Sequence, residues 1–156
     1  MKENYSVARL LENQHRDIDD ALKNMVGQGL EVPDCSHALE RLRFHIYLEE
    51  AFIFPILENR GAGEWTLNLK QDHGEIWRCM ESFHENSRER ACAGSRKTVS
   101  DLHDMLRIHD DKEEELIYPV VDVFIKKYKL ASTFIEIDSA RLPENWICLF
   151  GEARDS

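Results

Sequence analysis

At 156 residues, with 42% hydrophobic and 32% charged side chains, the chain has the length and balance of one globular domain with a sizeable core, not of a disordered or fibrous protein. Its 20 Lys and Arg against 30 Asp and Glu leave a formal net charge of −10, spread along the chain without an acidic tail, so nucleic acid and anionic membrane surfaces are not expected partners. The opening residues, MKENYSVARLLENQH, are too frequently charged for a signal peptide, and no window has the apolar length of a membrane span. Cys35, Cys79, Cys92 and Cys148 form no CxxC pair, so a cytoplasmic protein with reduced, structural thiols is expected.

Taken in chain order, apolar residues recur at alternating steps of three and four through four segments, the period of helices packed along a seam. The first seam is Ala8, Leu11, His15, Ile18, Leu22 and Met25, ending at the breakers Gly27 and Gly29 with Pro33 beyond. The second starts near Asp34 or Ser36, both suitable N-caps, and runs Ala38, Leu42, His45, Glu49, Phe52, Ile56 before Gly61 and Gly63. Pro55 falls inside it and is expected to tilt its last turn or to end the helix early.

The third seam, Leu69, His73, Ile76, Met80 and Phe83, predicts a helix from Glu64 to about Arg90, with Ala93 to Ser95 as the turn. The fourth, Leu102, Leu106, His109, Glu113, Leu116, Val120 and Val123, predicts one from about Arg96 to Lys129. Four such helices joined by short turns predict an all-α, antiparallel up-down four-helix bundle over residues 1–130. Residues 131–156 lose the periodicity. Their apolar side chains, among them Phe134, Ile137, Trp146 and Phe150, predict a short C-terminal extension that packs on the bundle or on a protein partner.

The chemistry lies in two related stretches, HIYLEEAFIFP from His45 to Pro55 and HDDKEEELIYP from His109 to Pro119. Residues four apart share a helix face about 6 Å apart along the axis, so His45 with Glu49 and His109 with Glu113 each make a bidentate nitrogen and oxygen claw. A weaker repeat relates the segment of His15 to that of His73, so the chain reads as two similar helix pairs, each with a lone His and a claw. His15, His45, His73, His109, Glu49 and Glu113 all stand where the pattern reserves Leu, Ile or Met. Buried polar groups without partners cost about 1–3 kcal/mol each, and ionised carboxylates far more. A metal cluster is the economical compensation: imidazole with carboxylate suits iron or manganese, and two acids can bridge two ions.

The remaining candidates are weaker. His84 lies about 16 Å along the axis from His73, too far to share a cluster, while His37 and His103 sit beside the seam. Glu50 and Glu114 lie about 100° round the helix from the claws, where solvated or interhelical roles are the default, with Glu114 a reserve bridge. Asp19 and Asp72 are candidates to orient imidazoles. Tyr47 and Tyr118 could donate hydrogen bonds, although ordinary packing is the simpler expectation.

In the order His15, His45-x3-Glu49, His73, His109-x3-Glu113, with a second Glu and a following Pro in each claw, the chain resembles the hemerythrin-like family, the HHE cation-binding domains, over roughly residues 5–128. The resemblance implies an antiparallel four-helix bundle around two non-haem iron ions, oxo- or hydroxo-bridged. His15, His45, His73 and His109 would be the terminal ligands, with Glu49 and Glu113 as bridges. Family roles include dioxygen binding, oxygen or iron sensing, handling of nitric oxide or peroxide, and iron–sulfur repair. Oxygen-carrying members have a second His one turn along the third helix, where this chain has Trp77, and an Asp five residues after the last His, where it has Glu114. Fewer imidazoles imply more open positions, which favours turnover with a small ligand over reversible storage.

The leading expectation is therefore a di-iron protein that binds or reduces dioxygen, peroxide or nitric oxide, with Ile18, Phe52, Ile76 and Leu116 limiting solvent at the cluster. Whether it turns over stays open. The alternative is an oxygen or iron sensor read by a partner through the tail around Trp146 to Phe150, and a third possibility is a purely structural site holding zinc.

Overall fold

The computed structural model describes residues 6–28, 32–88 and 92–152, leaving undescribed the side chains of 27–36 and 83–95. The chain is all-helical, with no strand among the described residues. Helix α1 (Val7–Gln28) is followed by α2 (Val32–Leu48), which runs through a π-helical turn (Glu49–Ile53) into the short α3 (Phe54–Glu58). Helix α4 (Gly63–Arg88) leads to α5 (Cys92–Lys112), which runs through a second π-helical turn (Glu113–Ile117) into α6 (Tyr118–Lys127), and α7 (Ser132–Ser139) follows.

Three expected boundaries move. Helix α2 begins at Val32, ahead of Asp34 and Ser36, so Pro33 sits in its first turn, where a missing N–H costs no helical bond. Helix α5 begins at Cys92, so Ala93 to Ser95 belong to its first turn and the break falls earlier. Pro55 neither ends its helix early nor simply tilts it. Both Pro55 and Pro119 lie in the first turn of an α-helix that follows a π turn, and the wider turn accommodates a ring that would otherwise clash one turn back. Gly29 and the side chains of Cys35, Phe83, His84 and Cys92 lie outside what is described. His37 is exposed.

Side-chain contacts set the register of the helices. Asp122 of α6 accepts from the Ser6 hydroxyl (2.5 Å) and from the amides of Val7 (3.0 Å) and Ala8 (3.3 Å), closing the start of α1, while Asp19 farther along α1 meets His103. Thus α1 runs against α5 and α6. Lys112 reaches Asn68 and Asp72, and Cys79 reaches the Thr98 carbonyl, so α4 runs against α5. Arg43 lies over Trp77 while Lys70 pairs with Glu58, which sets α2 and α3 against α4. Between α3 and α4 the chain turns at Gly61, whose φ of +85° lets the Ala62 amide reach the Leu57 carbonyl at 3.0 Å.

Two apolar clusters fill the interior. One contains Ile18, Leu22, Leu42, Ile46, Ile76, Met80 and Leu106, the other Leu11, Leu48, Ile53, Phe54, Leu69, Ile117 and Val121. Along every long helix the metal-ligand candidates fall between a residue of one cluster and a residue of the other. The polar layer is thereby sealed above and below by hydrocarbon.

The π turns change which residues face inward. Beyond Glu49 and Glu113 the inward set is Ile53, Phe54, Leu57 and the expected Ile56 in one half and Ile117, Tyr118 and Val121 in the other, all buried. Leu116 and Val123, expected in the seam, are 61% and 60% exposed, and Phe52 is only half-buried. A straight α-helix would have kept the expected phase. One wider turn adds a residue and rotates everything after it.

The chain after α7 folds back on the helices. Ile137 is buried in the second cluster and Cys148 in the first, and Trp146 meets Trp77 and Tyr47 edge-on at ring distances of 5.5 and 5.2 Å. No described helix is long and apolar enough to cross a membrane.

Candidate metal centre

His15, His45, Glu49, His73, His109 and Glu113 converge from α1, α2, α4 and α5 and the starts of both π turns, and all six are buried. Their donor atoms form two groups, His15, His45, Glu49 and Glu113, and Glu49, His73, His109 and Glu113, each with all donors within 4.8 Å of one another. The two acids are common to both groups. Glu49 Oε1 lies 3.1 Å from His45 Nε2 and 3.4 Å from His73 Nε2, and Glu113 Oε1 lies 3.3 Å from His15 Nε2 and 3.1 Å from His109 Nε2.

Each imidazole is held from behind by an oxygen on its Nδ1. His15 faces Glu114 (3.1 Å), His45 faces Gln14 (2.7 Å), His73 faces Glu50 (2.7 Å) and His109 faces Asp72 (3.0 Å). An oxygen acceptor there calls for the proton on Nδ1, which leaves the Nε2 lone pair aimed at the centre, the tautomer a metal ligand needs. Asp72 was expected to orient an imidazole and does so for His109 across the helix gap. Asp19 pairs with His103 and Lys23, outside the cluster.

The residues fit a cation on a test internal to the chain. Glu49 Oε1, His73 Nε2, His109 Nε2 and Glu113 Oε2 are buried with no hydrogen-bond partner. In a folded core nearly all such atoms are satisfied, and here they belong to the same convergent set. His15 Nε2 and His45 Nε2 approach to 3.0 Å, a contact that requires a proton or a cation between two lone pairs.

Without a cation, protons take that role. Burial alone would lower His15, but its hydrogen bond to Glu113 and the charges of Asp110, Glu113 and Glu49 raise it to about 9. Burial is likewise outweighed at His73, by Glu49 and Glu50, and at His109, by Glu113 and Asp72, and both are raised. Glu49, although buried, is held well below the usual carboxylate range by the charge of His45 and its hydrogen bonds. Binding a cation here must therefore displace protons.

Two groups near the centre, Gln14 and Asp110, have roles the sequence did not reveal, and a third, Tyr118, takes the hydrogen-bonding role that was ranked below packing. Tyr118 is fully buried, and its hydroxyl lies 3.0 Å from Glu49 Oε2 and 2.9 Å from His15 Nε2, so it is part of the site and not ordinary packing. Gln14 carries no signal beyond preceding His15, the place Asp72 holds before His73. Asp110 sits 3.3 Å from His15 Nε2, and burial pushes its carboxyl up to about 7, with Glu113 adding and His15 opposing. It lines an open cleft of about 380 Å³ between α1 and α5, with His15, Arg16, His103, Arg107 and Glu114. A smaller cleft of about 140 Å³ reaches His109 between α4 and α5.

Of the residues expected to exclude water, Ile18 and Ile76 are buried on one side of the polar layer, but exposed Leu116 is replaced by Ile117. Trp77, one turn after His73, is buried against Trp146, so that position supplies packing.

The sequence profile of the hemerythrin HHE cation-binding domain matches residues 6–121. Comparison with curated proteins and with solved structures finds no match.

Proposed function

The chain belongs to the hemerythrin HHE cation-binding domain family, and from that premise we propose that it is a cytoplasmic non-haem di-iron protein that binds or reduces dioxygen, peroxide or nitric oxide. Residues 1–130 act in this reading as an antiparallel up-down four-helix bundle, and 131–156 as its C-terminal extension. The observation that supports it most is the pairing of four Nε2 lone pairs, each backed by an oxygen on Nδ1, with two shared carboxylates, each of which has one buried oxygen without a hydrogen-bond partner.

His15, His45, His73 and His109 would be terminal ligands, and Glu49 and Glu113, each lying between imidazoles of both groups, would bridge two iron ions joined by an oxide or hydroxide. Bound as a reduced pair, the irons would supply two electrons to a small ligand. The chain itself does the rest. Glu114, Gln14, Glu50 and Asp72 keep the proton on Nδ1 of each ring and hold its orientation. The Tyr118 hydroxyl donates to Glu49 Oε2 at 3.0 Å and fixes that carboxylate's rotamer. The apolar clusters on either side exclude bulk water, and the cleft beside His15 and Asp110 is wide enough to admit a molecule of a few atoms.

Metal analysis of the purified protein, with absorption spectra before and after reduction and exposure to air, tests the reading. Two irons per chain with an oxygen-sensitive near-ultraviolet spectrum are expected, and a colourless protein holding only zinc would sink it. A sensor without turnover is the second reading, and a hydrogen bond from the C-terminal segment to Glu50 favours it. Consumption of peroxide or nitric oxide by the reduced iron form separates the two.

A further inference from the structure

We infer that residues 140–151 form a strap that serves as a positioning element of the metal centre, acting on His73 through Glu50. The inference rests on the di-iron reading and adds to it an outer layer supplied by the C-terminal segment.

The link is short and fully specified. The Leu149 amide donates to Glu50 Oε1 at 2.9 Å, and Glu50 Oε2 accepts from His73 Nδ1 at 2.7 Å. Both carboxylate oxygens are committed, one to the strap and one to the ligand. Glu114, the matching acid behind His15, shows what the strap changes: its side chain is 37% exposed, whereas that of Glu50 is 7% exposed.

The strap is seated by several contacts. Arg78 Nη1 donates to the Phe150 carbonyl at 2.7 Å, Cys148 is buried, and Trp146 lies edge-on between Trp77 and Tyr47. Gly74, directly after His73, is the notch. A Cβ there would stand 2.5 Å from the Phe150 carbonyl oxygen and 2.8 Å from Phe150 Cβ. Glycine is disfavoured in a helix interior, and this close approach of the strap backbone accounts for it. Gly151 lies equally tight, with a Cβ there 2.8 Å from Cys148 Sγ.

A ring held on Nδ1 by a carboxylate is more basic and better aimed than a free one, and losing such a partner costs on the order of 10–100-fold in metal affinity. The strap therefore tunes the His73 and His109 half and leaves the other half alone. By linkage the dependence runs both ways: a change of metal state that shifts His73 alters how firmly Leu149 is held.

Gly74→Ala puts a methyl against Phe150 without touching a ligand, and truncation after Ala140 removes the strap. In the iron-loaded variants one of two Mössbauer quadrupole doublets should shift while the other stays, and one iron should be lost to a chelator on the order of 10-fold faster. Glu50→Ala should reproduce this, and Glu50→Gln, whose single oxygen can accept from only one of Leu149 and His73, should reproduce it in part. If the variants fold poorly, hydrogen exchange of the 147–151 amides in the wild-type chain serves instead, with slower exchange expected when iron is bound. Unchanged doublets, release and exchange overturn the strap inference in a protein that holds two irons. A wild-type protein that holds none overturns the di-iron reading instead.

Discussion

The two halves of the centre use one pattern twice, yet they end in different surroundings. His15, His45 and Glu49 correspond to His73, His109 and Glu113, Gln14 corresponds to Asp72, and Glu114 to Glu50. Behind His15 is an open cleft, and Tyr118 places a hydroxyl against its ring. Behind His73 is the strap, and the residue matching Tyr118 is Phe54, stacked on the ring at 5.5 Å with no polar atom to offer. On the di-iron reading proposed above, a symmetric ligand set inside asymmetric surroundings would make two inequivalent metal positions. On that reading, small ligands would enter at the first half, and the second would be under structural control.

The largest effect should come from removing the metal, which both halves feel. Protons then offset only part of the cost of four buried atoms without hydrogen-bond partners, and at about 1–3 kcal/mol for each atom left unsatisfied the loss is a few kcal/mol, or roughly 10 °C in the unfolding midpoint of a chain this size. Calorimetry of the iron-loaded and chelated forms checks it, and equal midpoints would refute a metal-compensated core. The metal-free form has its own pH dependence. His15 is raised from 6.5 to about 9, so its pairing with Glu113 stabilises the fold fully below about 6.5 and fades as pH rises towards 9. The midpoint of the chelated protein should therefore fall across that window.

Next in size is the register set by the second π turn. Ile117→Ala removes a fully buried side chain and should cost about 2–5 kcal/mol. Leu116→Ala, one residue earlier but 61% exposed, should stay within about 0.5 kcal/mol. Urea unfolding of both variants decides between this register and a straight α-helix, which would reverse the order.

That register marks where the sequence stops being readable. The polar layer was legible because His45, Glu49, His109 and Glu113 precede or begin a π turn of their own helix and His15 and His73 lie on helices without one, so the ordinary helical period still holds there. Past Glu49 and Glu113 the extra residue carries Leu116 and Val123 outward and brings Ile117 and Tyr118 in. Pro55 and Pro119 were the only local signal, and a proline does not say whether a helix will bend, stop or widen. Glu50 and Glu114 were expected in solvated or interhelical roles, and the interhelical one holds without their partners having been legible. Placed off the seam of their own helices, they reach imidazoles on neighbouring ones, His73 and His15, and sequence periodicity carries nothing about a neighbour. The strap has no period at all, and the sequence offered only its apolar side chains, among them Trp146 and Phe150, as a sign that it packs on the bundle or on a partner, without saying where.

Tyr118→Phe makes the first half resemble the second. Glu49 Oε2 loses its donor, which should cost the metal-free fold about 1–3 kcal/mol. In the iron-loaded protein the Mössbauer doublet that moves should be the one Gly74→Ala leaves in place. If both substitutions shift the same doublet, the division of the centre into a hydroxyl-supported half and a strapped half is wrong.

The smallest effect concerns access, and two adjacent residues test it. Arg107 lines the cleft of about 380 Å³ beside His15, and Ile108 lines that of about 140 Å³ beside His109. Neither side chain belongs to the six that converge, so a tryptophan at either place should leave iron content and the resting spectrum unchanged. Arg107→Trp should slow the reaction of the reduced protein with dioxygen or nitric oxide several-fold in stopped-flow mixing, because it fills the wider opening. Ile108→Trp should leave the rate near that of the wild type, since the cleft it narrows is already flanked by the Lys112 and Asp72 ion pair at 2.9 Å. The opposite ranking would move the entrance to the His109 side and leave the wider cleft without a part in ligand traffic.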